Sequence, residues 1–114
     1  MELEKDVQRA CLNWLLKEAR VFAFRCNTTG IFDRELGFFR GAAKRGVPDI
    51  IVIAGVRGGQ FIGIECKRPG AKQREDQINF QKSVTAAGGE YWLIHSLDEL
   101  KRMWYNYVKE DKIV

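Results

Sequence analysis

The chain has 114 residues, 46% of them hydrophobic and three of them tryptophan, which fits one globular domain and excludes a disordered protein. No apolar run approaches the roughly 20 residues that span a membrane, and the charged, amphipathic N-terminus does not fit a signal peptide. The net charge of +4, from 19 basic and 15 acidic residues, is compatible with a polyanionic partner but does not identify one.

The hydrophobic pattern of the first half predicts one helix and three strands. Residues 3–19 carry apolar side chains at helical spacing and predict an amphipathic helix. Residues 21–27 predict a strand, because they are rich in aromatics and begin with a β-branched valine. Residues 28–48 are Gly-rich and basic, and are interpreted as a loop with room for one short helical turn. The apolar runs 49–54 and 60–67, joined by GVRGG, predict a β-hairpin.

The second half predicts a helix, a strand and a last helix. Residues 73–87 suit a helix that a Gly-Gly pair closes. Residues 90–95 predict a fourth strand. Ser96, with Glu99 three residues later, predicts a capping box that opens a helix ending at about Val108. The order αβββαβα predicts an α/β fold, with a mixed four-stranded sheet flanked by helices.

Three charged residues, Asp49, Glu65 and Lys67, stand at the ends of the predicted hairpin. If residues 55–59 form its loop, Asp49 lies directly opposite Glu65, with Cβ atoms roughly 4.5–5.5 Å apart. Strand alternation places Lys67 on the same face and points Cys66 the other way, into the core. Two carboxylates this close raise at least one pKa unless a cation lies between them, and Mg²⁺ is typically held by one or two carboxylates.

The pattern Pro48-Asp49 and Glu65-Cys66-Lys67 matches the PD-(D/E)XK nuclease signature. Within that superfamily, the chain resembles the virus-type replication-repair nuclease (VRR-NUC) family. The resemblance runs in order from Glu4 to about Leu97, and implies one nuclease domain over residues 1–114 with a restriction-endonuclease-like αβββαβ core. Its motifs are ELEKDVQRACLNWL with Glu4, NTTG at 27–30, GVPD at 46–49, ECK at 65–67, and QREDQINFQ with Gln77.

The resemblance implies metal-dependent hydrolysis of DNA phosphodiester bonds, with Mg²⁺ as the cofactor and Mn²⁺ as a substitute. By position, Asp49 and Glu65 would be metal ligands, and the backbone carbonyl of Cys66 could supply another oxygen. Lys67 would handle the attacking water. Whether one ion or two are used stays open. The alternative for the two carboxylates is a surface ion pair with Lys67 and Arg68.

The resemblance also implies that Glu4 and Gln77 support the site from the flanking helices, with Glu4 a candidate further metal ligand. Glu4 could instead simply be an acid that the dipole favours at a helix N-terminus. Gln77 could be a solvated helix residue, and Gln73 and Gln81 are near rivals for its role.

Basic residues border both motifs and are the candidates for contacts with DNA phosphates. The alternative is that they only keep the protein in solution. No recognition helix, zinc finger or base-reading pattern is evident, so DNA shape rather than sequence is the expected target. The candidates are Arg25, Arg34, Arg40, Lys44 and Arg45 before GVPD, and Arg68, Lys72 and Arg74 after ECK.

The family's stand-alone phage and bacterial members resemble Holliday-junction resolvases, so the expected protein is a homodimer that cuts branched or four-way DNA in repair. The dimer contact could be the apolar segment 31–43 or the final helix around Met103 and Trp104. Two other functions stay open. One is a monomeric nuclease for flaps or nicks, and the other is a DNA-binding module without catalysis.

Cysteine and histidine are scarce. Cys11, Cys26 and Cys66 are odd in number and lack a CxxC pair, and with one histidine a zinc site is disfavoured. They indicate reduced thiols in an intracellular protein of the cytoplasm or nucleoid. His95 is interpreted as a strand-end residue rather than a ligand.

Overall fold

The computed structural model describes residues 3–26, 31–33, 38–40 and 45–110. No helix in these ranges is long and apolar enough to cross a membrane. The helices are α1 (Glu4–Leu15), α2 (Glu75–Ala86) and α3 (Leu97–Glu110), and a 3-10 turn covers Gly55–Arg57. The strands are β1 (Val21–Arg25), β2 (Ile31–Asp33), β3 (Phe38–Arg40), β4 (Ile50–Ala54), β5 (Gln60–Cys66) and β6 (Glu90–Ile94).

Four strands form one mixed sheet in the order β1-β4-β5-β6. The first two pairs are antiparallel, whereas β5 and β6 are parallel. A parallel pair needs a long crossover, and α2 provides it between these two strands. The predicted α/β fold, with a mixed four-stranded sheet flanked by helices, is confirmed.

The interpretation of residues 28–48 as a loop is wrong at Ile31–Asp33 and Phe38–Arg40, whereas the described residues 45–48 do form a turn and loop. Ile31–Asp33 and Phe38–Arg40 pair as a separate two-stranded antiparallel sheet, with Ile31 opposite Arg40. Both triplets contain β-branched or aromatic residues, which fit a pleated backbone. The glycines and basic residues around them obscured this preference.

One face of the sheet carries the main hydrophobic core. α1 buries Val7, Cys11 and Leu15 against it, at the i, i+4 and i+8 positions of a single stripe. α3 adds Trp104 and Tyr107, whose rings contact each other with centroids 5.5 Å apart. Burying a large apolar side chain contributes roughly 1.5–3 kcal/mol, so these two helices hold the sheet in place.

α2 packs on the opposite face, where Phe80 contacts the ring of Tyr91 on β6. Its C-terminal end is a Schellman motif, because the Gly89 N–H donates to the carbonyl of Val84 at 2.9 Å and Gly88 has φ of 92°. The predicted closure by a Gly-Gly pair is therefore confirmed. The opposite end of α2 points to the edge of the sheet where β5 ends.

The predicted capping box at the start of α3 forms in part. The Glu99 N–H donates to Ser96 Oγ at 3.1 Å, as expected of an N-cap serine. The Glu99 carboxylate is instead 3.3 Å from Nδ1 of His95, which lies just after β6. His95 is thus a strand-end residue with a local partner.

Candidate active site

The register of the β4–β5 hairpin brings Asp49 and Glu65 together. Ala54 lies opposite Gln60 and Ile50 lies opposite Ile64, as the five-residue loop predicts, so the next pair is Asp49 and Glu65. The N–H of Cys66 donates to Asp49 Oδ2 at 2.8 Å and fixes that carboxylate at the end of β4. The Asp49 carbonyl accepts a hydrogen bond from Cys26, which ties the same point to the end of β1.

The surroundings of the two carboxyl groups raise the pKa of both. Burial, together with the negative charge of Asp49, raises the pKa of Glu65 to about 8. Burial also raises the pKa of Asp49, although hydrogen bonds from the Cys66 N–H and from Glu65 oppose the rise. Of the two carboxyls, Glu65 therefore favours its protonated form at neutral pH when no cation is bound.

Gln77 and Lys67 hold Glu65 from two sides. Gln77 Nε2 donates to Glu65 Oε2 at 2.9 Å, and Lys67 Nζ lies 3.9 Å from the same oxygen. Gln77 Oε1 accepts from the Arg74 N–H at the start of α2, so both ends of its amide are used. At 2% exposure, Gln77 is not a solvated residue.

Gln73 and Gln81, the rivals for the role of Gln77, donate no hydrogen bond to either carboxylate in the described part of the chain. Gln73, which precedes α2, instead donates from its Nε2 to Oε1 of Gln81 on α2, at 3.2 Å. The positions of the three glutamines around the helix axis explain why Gln77 reaches the site, because Gln77 is the one buried residue of α2. The geometry therefore brings Gln77, and not Gln73 or Gln81, to the site.

The other oxygen of Glu65 makes the site suited to a cation. Glu65 is 5% exposed, and no donor in the described part of the chain reaches its Oε1. A buried carboxylate oxygen without a donor is costly unless a proton or a cation satisfies it. Two adjacent carboxylates offer the hard oxygen ligands that Mg²⁺ takes, so the residues present fit this ion.

The side chains alone do not make a complete metal cage. Across residues 3–26, 31–33, 38–40 and 45–110, no group of three or more histidine, cysteine, aspartate or glutamate side chains is placed to hold a metal ion. Mg²⁺ usually keeps several waters and is held by one or two carboxylates plus substrate oxygens. A site with two protein carboxylates is therefore compatible with this ion.

Glu4 lies at the same edge of the sheet, at the first position of α1. Its Oε2 accepts a hydrogen bond from the Arg68 N–H at 3.3 Å. Its negative charge adds, after burial, to the rise in the pKa of Asp49. Glu4 thus places negative charge beside the pair from the first turn of α1, and its role at the site stays a prediction.

Cys66 points away from the carboxylates, as strand alternation predicts. Its side chain is buried in the core, where a hydrogen bond with Cys11 and burial raise the pKa of the Cys66 thiol. The thiol is therefore neutral and takes no part in the candidate site. The role of the Cys66 carbonyl as a metal ligand stays a prediction.

Two glycines that sequence analysis did not single out set the position of the GVPD segment. Gly46 has φ of +79°, and a Cβ there would lie 2.1 Å from the carbonyl oxygen of Asp76 in α2. A Cβ on Gly63 of β5 would lie 2.6 Å from Cγ of Pro48. The segment is thus clamped between the start of α2 and the face of β5. A glycine inside a strand was the available signal for such a close approach.

Tyr91 is a further residue that sequence analysis missed. It lies opposite Gly63 on β6, on the face that carries Glu65, and its hydroxyl is buried. Burial, and then the charge of Glu65, raise the pKa of Tyr91. The phenol therefore stays neutral beside the carboxylate pair.

The structure exposes several of the predicted DNA-contacting residues. Arg25 lies at the end of β1 and Arg45 precedes Gly46, while Arg68 and Lys72 follow β5, and all four are exposed. Exposed arginines and lysines on both sides of the carboxylates could contact DNA phosphates. Arg34, Lys44, the NTTG motif at 27–30 and the Arg40 side chain lie outside the described residues.

The two predicted dimer contacts differ in what the structure says of them. In α3, Trp104 and Tyr107 are buried in the core of their own chain, whereas Tyr105 is 72% exposed. The α3 surface available to a second copy is therefore smaller than its sequence suggests. The side chains of the segment 31–43 lie outside the described residues.

The fold is shared with a known protein. A solved structure described as a VRR_NUC domain protein matches with a TM-score of 0.63 and 18% sequence identity, covering 96% of this chain and 91% of that chain. No protein-family model matches the sequence, and no curated protein sequence matches it. At this identity the likeness shows the fold, and it confirms at that level the resemblance inferred from the motifs.

Proposed function

We propose that this chain, which has the fold of a VRR_NUC domain protein, is a Mg²⁺-dependent DNA endonuclease that hydrolyses phosphodiester bonds. The observation that carries the proposal is the pair of carboxyls, the half-buried Asp49 and the buried Glu65, beside the amine of Lys67. Placing three ionisable groups together at the end of a hairpin costs folding free energy, which a binding or catalytic role would explain.

Asp49 and Glu65, with the carbonyl of Cys66 and with Glu4 nearby, would hold the ion. When bound, Mg²⁺ supplies charge that stabilises the phosphate and lowers the pKa of a water molecule. The protein's own contribution is rigid positioning, because the Cys66 N–H fixes Asp49 and Gln77 fixes Glu65. Such fixed groups lose little entropy when DNA arrives.

Lys67 lies within 3.9 Å of Glu65 and is the residue best placed to orient the attacking water. A lysine in this position can accept a proton from water when neutral or stabilise phosphate charge when protonated. The proton on Glu65 must leave before that carboxylate acts as an anionic ligand, and a divalent cation at the pair would favour its loss. Activity should therefore rise with pH as Glu65 is deprotonated.

The proposed substrate is branched DNA, with a four-way junction first among the candidates, and the proposed active form is a homodimer. The exposed basic residues support a DNA partner, and a two-fold dimer matches the symmetry of a four-way junction. A monomeric nuclease for flaps or nicks is the second candidate. The pairing of Asp49 with the buried Glu65 argues against a module that only binds DNA, since binding alone does not need it.

Cleavage of an end-labelled four-way junction and a matching linear duplex, in Mg²⁺ or EDTA, tests the proposal. We expect metal-dependent, symmetric cuts in the junction by the parent chain, and a loss of at least 100-fold in Lys67→Ala. Lys17→Ala, an exposed lysine after α1 on the other side of the sheet, should cut normally. Cleavage of flaps or nicks by a monomer would favour the second candidate. DNA binding without cleavage in Mg²⁺ or Mn²⁺ would refute the catalytic roles.

A further inference from the structure

Two aromatic side chains on the edge strand of the sheet are exposed to solvent. Phe22 is 65% exposed and Phe24 is 42% exposed, and their ring centroids lie 5.5 Å apart. Strand residues on the solvent side of a sheet are usually polar, so two adjacent exposed phenylalanines are unusual. We call this pair the aromatic edge.

The aromatic edge lies on the same face of the sheet as the candidate active site. Phe24 is opposite Ile51 and Phe22 is opposite Ile53, so both rings share the face of the odd-numbered residues of β4. Asp49 is two residues before Ile51 and therefore points to that face as well. The diagonal between Phe24 and Asp49 corresponds to about 7–8 Å between Cα atoms.

The end of β1 is joined directly to the site. The Cys26 N–H donates to the carbonyl of Asp49 at 2.8 Å, so the strand that carries the aromatic edge cannot move independently of the carboxylates. Arg25, between Phe24 and Cys26, is exposed, but it lies opposite Ile50 and so points to the other face of the sheet. A DNA strand that is bound at Asp49 and runs toward β1 would pass within contact distance of Phe24.

We propose that Phe22 and Phe24 stack against bases that are unstacked at a DNA branch point, next to the phosphate held at Asp49 and Glu65. This inference rests on the proposed function, and names the feature of branched DNA that the chain reads. A continuous duplex offers no open π-face beside a phosphate, whereas the base pairs that flank a branch do. Aromatic side chains bind such faces without regard to base sequence.

The size of the aromatic edge also favours bases over a second copy of the chain. A phenylalanine buries about 150–250 Å² at most, so the two rings offer less than the roughly 800 Å² per partner of a stable protein interface. The area of two rings suits stacking on one or two bases.

Binding measured without catalysis tests the inference. The probes are a four-way junction with 2-aminopurine in the base pair that flanks the branch, and a linear duplex with 2-aminopurine inside it, both in EDTA or Ca²⁺. We expect Phe22→Ala/Phe24→Ala to bind the junction roughly tenfold to a hundredfold more weakly, with unchanged duplex affinity. Leu16→Ala, which removes an exposed apolar side chain at the end of α1, is the matched control and should bind normally.

Conservative variants separate stacking from apolar contact. Phe24→Trp should keep the junction affinity and the change in 2-aminopurine fluorescence, whereas Phe24→Leu should lose both. Equal weakening on junction and duplex, full affinity in Phe24→Leu, or a change of the mass in solution in the double alanine variant would overturn the inference. The last result would assign the aromatic edge to a contact between copies.

The two proposals fail in different ways. If Lys67→Ala and the parent chain are equally inactive on all DNA but junction binding depends on Phe24, the endonuclease proposal fails and the aromatic edge stands. If the parent chain cuts junctions and the double alanine variant binds and cuts them equally well, the aromatic edge fails and the endonuclease proposal stands.

Discussion

At the scale of single residues, Glu65 is the centre of the candidate site. Its Oε2 has the amide of Gln77 and the amine of Lys67 as partners, and its Oε1 has no donor in the described part of the chain. A buried acid with a pKa of about 8 binds a proton more tightly in the folded chain than in the unfolded chain. The same residue therefore controls both stability and the proposed chemistry.

The raised pKa of Glu65 predicts how stability depends on pH without metal. The folded chain holds the proton up to about pH 8 and the unfolded chain releases it near its ordinary value of 4.5. The contribution of Glu65 to the free energy of unfolding is then largest below about pH 4.5, and it falls as pH rises to about 8. Each unit of pKa difference is worth about 1.4 kcal/mol, so the fall is on the order of a few kcal/mol.

Urea unfolding in EDTA at several pH values measures this fall. Glu65→Gln cannot titrate and keeps a neutral, hydrogen-bonding side chain, so its stability should change much less between pH 5 and 8. An equally steep fall in Glu65→Gln would assign the pH dependence to other groups.

Gln77→Ala should destabilise the chain and impair cleavage together. It removes the donor to Glu65 and the acceptor for the Arg74 N–H, and buried groups left without partners cost about 1–3 kcal/mol. Gln81→Ala is the matched control, because its partner Gln73 is partly exposed to water. Thermal unfolding and the cleavage assay measure both effects, and comparable losses in the two variants would argue against a special role for Gln77.

At the scale of elements, the hairpin and α2 build the site together. β4 and β5 bring the carboxyls into register, and the crossover through α2 returns Gln77 to the end of β5. The GVPD segment lies between them, and only glycine fits at Gly46 and Gly63. Contacts between elements, more than the elements themselves, thus fix the geometry.

Gly46→Ala should therefore disrupt the contact between the GVPD segment and α2. A positive φ costs a non-glycine residue about 1–3 kcal/mol, and the clash with the Asp76 carbonyl adds to it. Gly58→Ala is the control, since Gly58 has φ of +68° but open space around it, and should show the conformational cost alone. Denaturant unfolding compares the two, and equal losses would show that the clash is relieved cheaply.

The sequence predicts the local parts of the site well and the long-range parts poorly. The loop length sets the register, so the pairing of Asp49 with Glu65 follows from the hairpin alone. Gln77 could not be separated from Gln73 and Gln81 without knowing which side of α2 is buried. The clamp at Gly46 depends on a contact with Asp76, thirty residues away, which no local pattern reveals.

At the scale of the whole molecule, the two faces of the sheet are covered unequally. Among the described residues, α1 and α3 cover one face with the main core, while α2 packs on the β5–β6 half of the other. The carboxyls lie at the border between the covered half and the half with the aromatic edge. In the proposed complex, DNA would approach the site from the side of β1.

Binding of Mg²⁺ should stabilise the folded chain. A ligand that binds only the folded state raises the free energy of unfolding by RT ln(1 + [L]/Kd), about 2.7 kcal/mol at one hundred times Kd. Melting temperatures in Mg²⁺ and in EDTA measure the effect at pH 8. The increase should vanish in Asp49→Asn and persist in Lys17→Ala, and an equal increase in both would mean that the ion binds elsewhere.

The separations in sequence among the site residues imply an order of assembly during folding. Glu65 and Gln77 are 12 residues apart, whereas Glu4 and the Arg68 N–H are 64 residues apart. Loop-closure entropy grows with the length of the loop, so the hairpin and α2 can associate before the N-terminal helix docks. The carboxyl pair would then form early in folding, and Glu4 would join the site in its last step.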